Sequence, residues 1–155
     1  DAERPPLALL GNLLGGPSAN SLLNVLVREK NGLSYNIEAS YTPYSDSGIV
    51  AFYFSCAHDN TDHCIALIEG ELERLRNTPL SARRLSMAKK QFIAQLAISM
   101  ESNEGYMLGA GKRFLARREV DTMEEVYRKI QALTAEDLTD VASSVFSSPS
   151  RLIYK

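Results

Sequence analysis

A cation and a phenol lie seven residues apart in this chain, on either side of a predicted glycine turn. Arg28 lies near the end of a predicted helix, Asn31-Gly32 predicts the turn, and Tyr35 lies at the start of a predicted strand. Both side chains can therefore point at one place, where a guanidinium would donate hydrogen bonds to a carbonyl and a phenol hydroxyl would stabilise an oxyanion. The spacing by itself favours a structural interpretation, in which Arg28 is a solvated cation at a helix end and Tyr35 is a core residue of the strand.

The two histidines of the chain are not spaced as metal ligands. His58 and His63 lie five residues apart at a predicted helix start, whereas two histidines on one helix face need an i, i+4 separation. The segment that holds them also contains Cys64, and its acids Asp59 and Asp62 are interpreted as N-terminal capping and helix-dipole partners. Neither H-x-x-E-H nor its reverse order occurs, so the sequence predicts no metal site on this chain.

Patterns for other kinds of catalysis are also missing. No serine lies in a G-x-S-x-G turn. Cys64 and His63 are adjacent on a predicted helix, where neighbouring side chains diverge and cannot form a catalytic dyad. The glycines at 105, 109 and 111 fail the phosphate-binding loop pattern and are interpreted as small residues that let another helix approach. We therefore expect no catalytic residue on this chain alone.

The composition is that of an ordinary globular domain. The 155 residues are 45% hydrophobic and 23% charged, which is enough for one domain with its own core. A net charge of −2 without a basic run argues against a nucleic-acid partner. No apolar run approaches the ~18 residues of a membrane span, and no secretory leader is recognisable. Cys56 and Cys64 are predicted to be free thiols in a reducing compartment, and we expect a cytoplasmic location, with the periplasm as the alternative.

Two helices are predicted at the start of the chain. Residues 5–14 form the first, with two prolines in its first turn and leucines on its apolar face. Ser18 or Asn20 is predicted to cap the second, which runs to about Lys30. Its inward-facing side chains are Leu22, Leu23, Leu26 and Val27.

An antiparallel hairpin is predicted to follow. Residues 34–42 alternate cleanly, which predicts a half-buried strand. The side chains sharing one face of it are Tyr35, Ile37, Ala39 and Tyr41. Residues 49–57 are nearly all apolar or small, which predicts a second strand covered on both faces.

The rest of the chain is predicted to be mainly helical. Helices are expected at 60–77, 81–101 and 103–117, and then from the capping residues Thr122 and Thr134. A short final strand is expected at 152–154. Strands that cluster early and helices that follow predict an α+β fold, an antiparallel sheet with helices packed on one face, as a single domain over residues 1–155.

These motifs together resemble the pitrilysin/insulinase family of zinc metallopeptidases, which includes the mitochondrial processing peptidase. The resemblance is to the family's C-terminal, non-catalytic domain, one half of a clamshell of the LuxS/processing-peptidase type. It rests on the segment LLGGPSANSLLNVL, on Arg28, Gly32, Leu33 and Tyr35, on the hairpin segment YTPYSDSG, and on TAEDL before the last helix. The family's domain begins with a strand before the helix seen here at 5–14, and that strand is not found in this sequence.

The resemblance implies a function in which this chain supplies no metal ligand. In the family, the arginine and the tyrosine contact the substrate peptide beside a zinc held by a partner domain, so Arg28 and Tyr35 are the expected substrate-binding residues. The expected partners are the zinc-bearing domain, on the same or a separate chain, and an unfolded peptide. Self-association of the fragment is also possible, because the missing strand and missing domain would leave a sheet edge or apolar face uncovered. The alternative is a structural or scaffold domain of an inactive family member.

Overall fold

The first helix packs across the hairpin through a row of leucines. The computed structural model describes residues 3–154, apart from the side chains of residues 116 and 117. Helix α1 (Arg4–Gly15) begins with two prolines, whose missing N–H groups are not needed in a first turn. The predicted helix at 5–14 is thus confirmed. Its fully buried side chains are Leu9, Leu10 and Leu14.

The second helical segment is wound more loosely than an α-helix. After two α-helical residues, Leu22 and Leu23, it continues as a π-helix, Asn24–Lys30. Leu23, just before the π-helix, and Val27 within it are buried. No side chain caps its start; the Ser18 hydroxyl instead accepts the N–H of Asn20 at 3.3 Å within the preceding turn. The predicted helix is confirmed, and its predicted caps are wrong because the preceding turn already uses the Ser18 side chain.

Strands β1 (Ser34–Pro43) and β2 (Gly48–Cys56) form the predicted antiparallel hairpin. The inner face is made by cross-strand pairs that pack against the helices. These pairs are Ile37 with Phe54, Ala39 with Phe52, and Tyr41 with Val50. Phe52 also meets Phe146 edge to face, with ring centroids 5.7 Å apart, which ties the sheet to the end of the last helix.

The outer face of the hairpin is open to solvent. The prediction that β2 is covered on both faces is wrong, because its side chains alternate between half-buried and exposed and Ile49 and Tyr53 are exposed. The helices of the described residues pack only on the inner face, so the apolar content of β2 does not imply two-sided burial. The sheet over residues 3–154 consists of these two strands.

Five α-helices complete the fold in the predicted order. They are α2 (Thr61–Asn77), α3 (Ala82–Met100), α4 (Asn103–Arg117), α5 (Met123–Ala132) and α6 (Ala135–Val145). Thr122 and Thr134 form the predicted capping boxes at the starts of α5 and α6. Within the described core, α2 contributes Cys64, Ile68, Leu72 and Leu75, and α6 contributes Leu138, Val141 and Ala142.

Two predictions about the later part of the chain are wrong. Residues 152–154 do not form a strand, and Leu152 and Tyr154 are almost fully exposed. A strand needs a neighbour to complete its hydrogen bonds, and the two described strands pair only with each other. The prediction that glycines let another helix approach is wrong at Gly109 and Gly111, where a Cβ would meet no backbone within 4 Å. It holds at Gly105, where a Cβ would lie 3.1 Å from the Ser99 carbonyl oxygen of α3. No helix among the described residues has the length and hydropathy to span a membrane.

Candidate functional site

Arg28 lies near the C-terminal end of the π-helix with its guanidinium in solvent. Its Nε atom is 3.7 Å from the Glu29 carboxylate, and both side chains are about half exposed. An exposed pair of this kind contributes at most about 1 kcal/mol, so it does not hold the guanidinium in one place. Arg28 is therefore available to a further partner.

Gly32 reverses the chain between the π-helix and β1. Its φ of +62° lies in the left-handed region, and a Cβ there would meet nothing within 4 Å. The turn is held by backbone hydrogen bonds from Gly32 N–H to the Arg28 carbonyl, 2.9 Å, and from Leu33 N–H to the Val27 carbonyl, 3.0 Å. The predicted turn is confirmed, and it fixes the path from Arg28 to Tyr35.

Tyr35 lies on a β-bulge at the start of β1. The register breaks between Ser34, which pairs with Cys56, and Asn36, which pairs with Ser55. The buried Ser34 hydroxyl lies 2.7 Å from the Asn36 carbonyl oxygen and 2.8 Å from the Ser55 carbonyl oxygen, which holds the bulge in place. The bulge takes Tyr35 out of the regular alternation of the strand.

As a result, the Tyr35 side chain is 88% exposed. The prediction that it shares the buried face with Ile37 is wrong, and so is the structural interpretation of Tyr35 as a core residue. Its hydroxyl forms no hydrogen bond within the described part of the chain. A large aromatic side chain placed in solvent by a specific backbone irregularity is typical of a contact residue.

A cavity of about 590 Å³ lies between the π-helix and β1. Its volume is within the usual range for ligand pockets. The lining residues are Gly15 at the end of α1, residues 16–19 in the loop after it, Ser21, Asn24 and Arg28 on the helical side, and 36–40 on β1. Arg28 therefore lines a concave surface, whereas Tyr35 is not part of the lining, so the expectation that both side chains face one concave surface is not met by this cavity.

The cavity has a mixed polar and apolar lining with one residue of each charge sign. Arg28 and Glu38 are the charged side chains in its lining. Asn24 donates from Nδ2 to the Ala19 carbonyl at 2.7 Å. The Ser21 hydroxyl is 2% exposed and has no hydrogen-bond partner among the described residues. Such a lining offers hydrogen-bonding groups to a ligand but contains no nucleophile paired with a base.

Ser21 and Glu38 were not singled out by sequence reasoning. Ser21 precedes Arg28 by seven residues, and Glu38 follows Tyr35 by three, so both lie close in sequence to the predicted pair. This nearness in sequence does not identify them as lining residues, because the position of the loop after α1 depends on tertiary packing. In particular, Gly15 allows the end of α1 to rest directly on the β1 backbone.

The histidine segment lies away from this cavity. His58 is in a short 3-10 turn and His63 is in the first turn of α2, and both are exposed. No group of three potential metal ligands occurs among the described residues. The predicted capping bonds of the neighbouring acids are wrong, since no side chain caps either helix start, although Asp62 does lie in the first turn of α2, where a negative charge is favourable.

Cys56 and Cys64 are free thiols, as predicted. Cys64 is completely buried beneath β2, while Cys56 is partly exposed and its Sγ lies 3.8 Å from the Thr61 hydroxyl. Burial, followed by the neighbouring Cys56 thiol, raises the pKa of Cys64 to about 11. Cys64 is thus a protonated core residue at neutral pH and not a nucleophile.

The amino-acid sequence of the chain is similar to that of known proteins. A family model described as the peptidase M16 inactive domain matches residues 1–92. The uncharacterized zinc protease YmxG of Bacillus subtilis is 28% identical over 141 residues, which are 91% of this chain and 34% of that protein. The beta subunit of the mitochondrial processing peptidase of Saccharomyces cerevisiae is 24% identical over 127 residues, 79% of this chain and 27% of the subunit. The chain thus spans about a third of the length of these curated relatives.

Solved structures show the same fold. A conserved protein from Enterococcus faecalis has a TM-score of 0.80 at 22% identity, over 92% of this chain and 33% of that one. A peptidase M16 inactive domain from Pseudomonas fluorescens has a TM-score of 0.78 at 23% identity, over 94% of this chain and 34% of that one. The α+β arrangement described above is therefore that of the M16 inactive domain.

Proposed function

The chain belongs to the family of peptidase M16 inactive domains, and on that premise we propose that it is the substrate-binding half of a zinc endopeptidase. The zinc would be held by a partner domain, since the described residues of this chain contain no ligand set for it. Several relatives are named zinc proteases and are about three times as long as this chain, which leaves room for such a domain. When bound there, the zinc would supply the activated water.

The observation that carries the proposal is the placement of Tyr35. Its hydroxyl is held out in solvent by the Ser34 bulge, without a partner among the described residues. The left-handed Gly32 brings the chain there directly from Arg28, which lines the adjacent cavity. Two hydrogen-bond donors therefore lie on either side of the Gly32 turn, one of them in the lining of the cavity, and this placement supports the proposal.

Each donor has a separate chemical role in the proposal. Arg28 would bind a backbone carbonyl of the peptide and fix its position, because a guanidinium offers several N–H groups in one plane. The Tyr35 hydroxyl would donate to the oxygen on which negative charge develops as the scissile carbonyl is attacked. Neither role requires this domain to accept or release a proton.

The test is steady-state kinetics of two variants in the intact protease that contains this chain. We expect Tyr35→Phe to lower kcat by about 10²–10³, the usual loss when one oxyanion donor is removed. We expect Arg28→Ala to raise KM as well, because it removes a contact made in the ground state. Melting temperatures should stay unchanged, since both side chains are solvent-exposed.

Matched controls are available on the same chain. Tyr154 is 98% exposed and Arg83 is exposed on α3, so Tyr154→Phe and Arg83→Ala repeat the same chemical changes away from the cavity. If Tyr35→Phe and Arg28→Ala behave like these controls, the pair does not act in the cleft.

That result would favour the alternative function, a scaffold domain of an inactive protease. One observation supports this alternative independently. Helix α4 exposes several large apolar side chains, and so does the C-terminal segment, as expected of a surface that contacts another protein. These side chains are Tyr106, Met107, Leu108, Phe114, Leu115, Leu152 and Tyr154.

A further inference from the structure

Cys56 and Cys64 lie on either side of the junction between the hairpin and α2. Cys56 is the last residue of β2, and Cys64 lies in the first turn of α2. The short chain between them passes through the 3-10 turn His58–Asn60 before it enters the helix. Both side chains pack in the hydrophobic core, with Cys64 completely buried and Cys56 at its edge. They are the two cysteines of the sequence, so each has only the other as a thiol partner on this chain.

The side chain of Thr61 shows how close the two thiols are. The Thr61 hydroxyl donates to the His58 carbonyl at 2.8 Å, and its oxygen lies 3.8 Å from the Cys56 Sγ atom. Thr61 and Cys64 are three positions apart on α2, so their Cβ atoms are neighbours on one helix face, about 5–6 Å apart. The Cys56 thiol is also close enough to Cys64 to add to the rise in its pKa. Cys56 therefore lies beside the face of α2 that carries Cys64.

The two thiols differ in their access to solvent. Cys56 is partly exposed, whereas Cys64 has no exposed surface. A small dissolved oxidant can therefore reach Cys56 and cannot reach Cys64 directly. A cysteine oxidised to its sulfenic acid condenses with a nearby thiol, and the thiol beside Cys56 is that of Cys64.

We propose that Cys56 and Cys64 form an oxidation site, at which hydrogen peroxide converts the two thiols into an intramolecular disulfide. In the first step one peroxide oxygen is transferred to the Cys56 sulfur, which becomes a sulfenic acid, and the other oxygen leaves as water. In the second step the Cys64 sulfur bonds to the Cys56 sulfur, and the sulfenic hydroxyl leaves as water with the Cys64 proton. One peroxide and two thiols thus give one disulfide and two water molecules.

Cys64 is suited to the second step alone. While Cys56 is reduced, burial and the neighbouring thiol keep Cys64 protonated, so it does not react with an oxidant itself. Oxidation of Cys56 removes the contribution of that thiol and places an electrophilic sulfur next to Cys64. Because Cys56 is the last residue of β2, a small movement of the strand end allows the Cβ separation of about 3.5–4.5 Å that a disulfide requires.

The disulfide would form next to the bulge that exposes Tyr35. Cys56 is the cross-strand partner of Ser34, whose hydroxyl lies 2.8 Å from the Ser55 carbonyl oxygen and holds the bulge in place. Oxidation therefore links to α2 the strand end from which Tyr35 projects. The inference does not depend on the proposed function, because no contact with a substrate enters it.

The experiment maps the disulfide in the intact protein that contains this chain. The protein is reduced, separated from the reductant, treated with hydrogen peroxide and quenched with N-ethylmaleimide. An aspartate-specific peptidase that cleaves before Asp59 and Asp62 separates the two cysteines, so mass spectrometry without reduction detects a linked pair of peptides. We expect this Cys56–Cys64 pair to be the main oxidised product of the chain. Its mass should be two hydrogen atoms below that of the reduced peptides together, and dithiothreitol should separate it.

Two variants test the order of the steps. Cys56→Ser retains a small polar group beside Thr61 and should leave Cys64 unoxidised at the same peroxide dose, because the accessible thiol is gone. Cys64→Ala should leave Cys56 as a sulfenic acid that dimedone traps, since its partner is removed. Cys64→Ala changes a buried residue, so its melting temperature is measured as well. Cys56→Ser changes a partly exposed residue and keeps the test decisive if Cys64→Ala does not fold.

Three results would each overturn the inference. Cys56 could resist the peroxide, or it could be oxidised to a sulfinic acid while Cys64 remains a thiol that N-ethylmaleimide labels after denaturation. Cys64 of the Cys56→Ser variant could also be oxidised as fast as in the wild type. The proposed function would be unaffected by any of these results, because the proposed roles of Arg28 and Tyr35 involve neither thiol.

Discussion

Gly15→Ala is the substitution for which the structure makes the sharpest prediction. Gly15 is the last residue of α1 and rests directly on β1. A Cβ at this position would lie 2.2 Å from the backbone nitrogen of Ala39 and 2.8 Å from the carbonyl carbon of Glu38. Both atoms belong to the main chain of a paired strand, so no change of rotamer relieves the contact.

The size of the effect follows from these distances. Ordinary contact between heavy atoms is about 3.5 Å, so the end of α1 has to move away from β1 by roughly 1 Å. Such overpacking typically costs about 1–3 kcal/mol. The neighbouring Leu14 is completely buried, and its packing would be disturbed by the same movement. We expect a loss near the top of that range, partly offset by the ~0.5–1 kcal/mol that alanine normally gains over glycine in a helix.

Gly70→Ala is the matched control. Gly70 lies in the middle of α2, is exposed, and would have no atom within 4 Å of its new Cβ. The same substitution should therefore stabilise the protein by about 0.5–1 kcal/mol. The two variants differ only in the space around the added methyl group, so the difference in sign isolates the contact between α1 and β1.

The assay is urea unfolding followed by circular dichroism. Gly15→Ala should lower the midpoint without changing the slope, while Gly70→Ala should raise it. Because Gly15 also lines the cavity, the first variant should raise KM in the intact protease. A Gly15→Ala protein as stable as the wild type would refute the close approach of α1 and β1, and with it the shape of the cavity.

Three further predictions concern single local features. Gly32→Ala places a side chain at φ +62° and should cost about 1–2 kcal/mol in urea unfolding, with Gly32→Asn less affected. Thr134→Ala removes the cap of α6 and should cost about 1 kcal/mol. Hydrogen bonds from the N–H and hydroxyl of Thr134 lower the pKa of Asp137. Their contribution to stability is therefore present above the ordinary aspartate pKa and is lost as the pH falls through the lowered pKa. The difference in melting temperature between Thr134→Ala and the wild type should be smaller at pH 3 than at pH 7. Finally, iodoacetamide at pH 8 should modify Cys56 before the buried Cys64, and equal labelling of the two by mass spectrometry would contradict the burial described.

Features that depend on neighbouring residues in the sequence were predictable. The helix at 5–14 follows from the leucine spacing and from the two prolines in its first turn. The capping boxes at Thr122 and Thr134 follow from residue types three positions apart, and the structure contains both hydrogen bonds of each. The Gly32 turn and the antiparallel pairing of the hairpin strands also depend on residues that are close together in the sequence. The fold class could therefore be inferred, because an early hairpin followed by helices allows few arrangements.

Features that depend on distant residues were not predictable. The exposure of Tyr35 results from a bulge that the Ser34 hydroxyl stabilises by reaching the Ser55 carbonyl, 21 positions away. The π-helix keeps the same buried leucine and valine that an α-helix would, so hydrophobic spacing does not distinguish them. The solvent exposure of the outer face of β2 could not be predicted from its composition, because its large hydrophobic residues Ile49 and Tyr53 are not covered by a helix of the described chain.

Because the helices cover only one face of the hairpin, the amino-acid sequence of its two faces is constrained to different degrees. Its inner positions are constrained by the core, where changing a side chain costs several kcal/mol. Its outer positions are exposed to solvent, so most replacements there change stability by less than about 0.5 kcal/mol. Mutations at exposed positions such as 38 and 53 can therefore accumulate without compensating changes elsewhere, and related domains can come to differ on this surface while their helices and their melting temperatures stay the same.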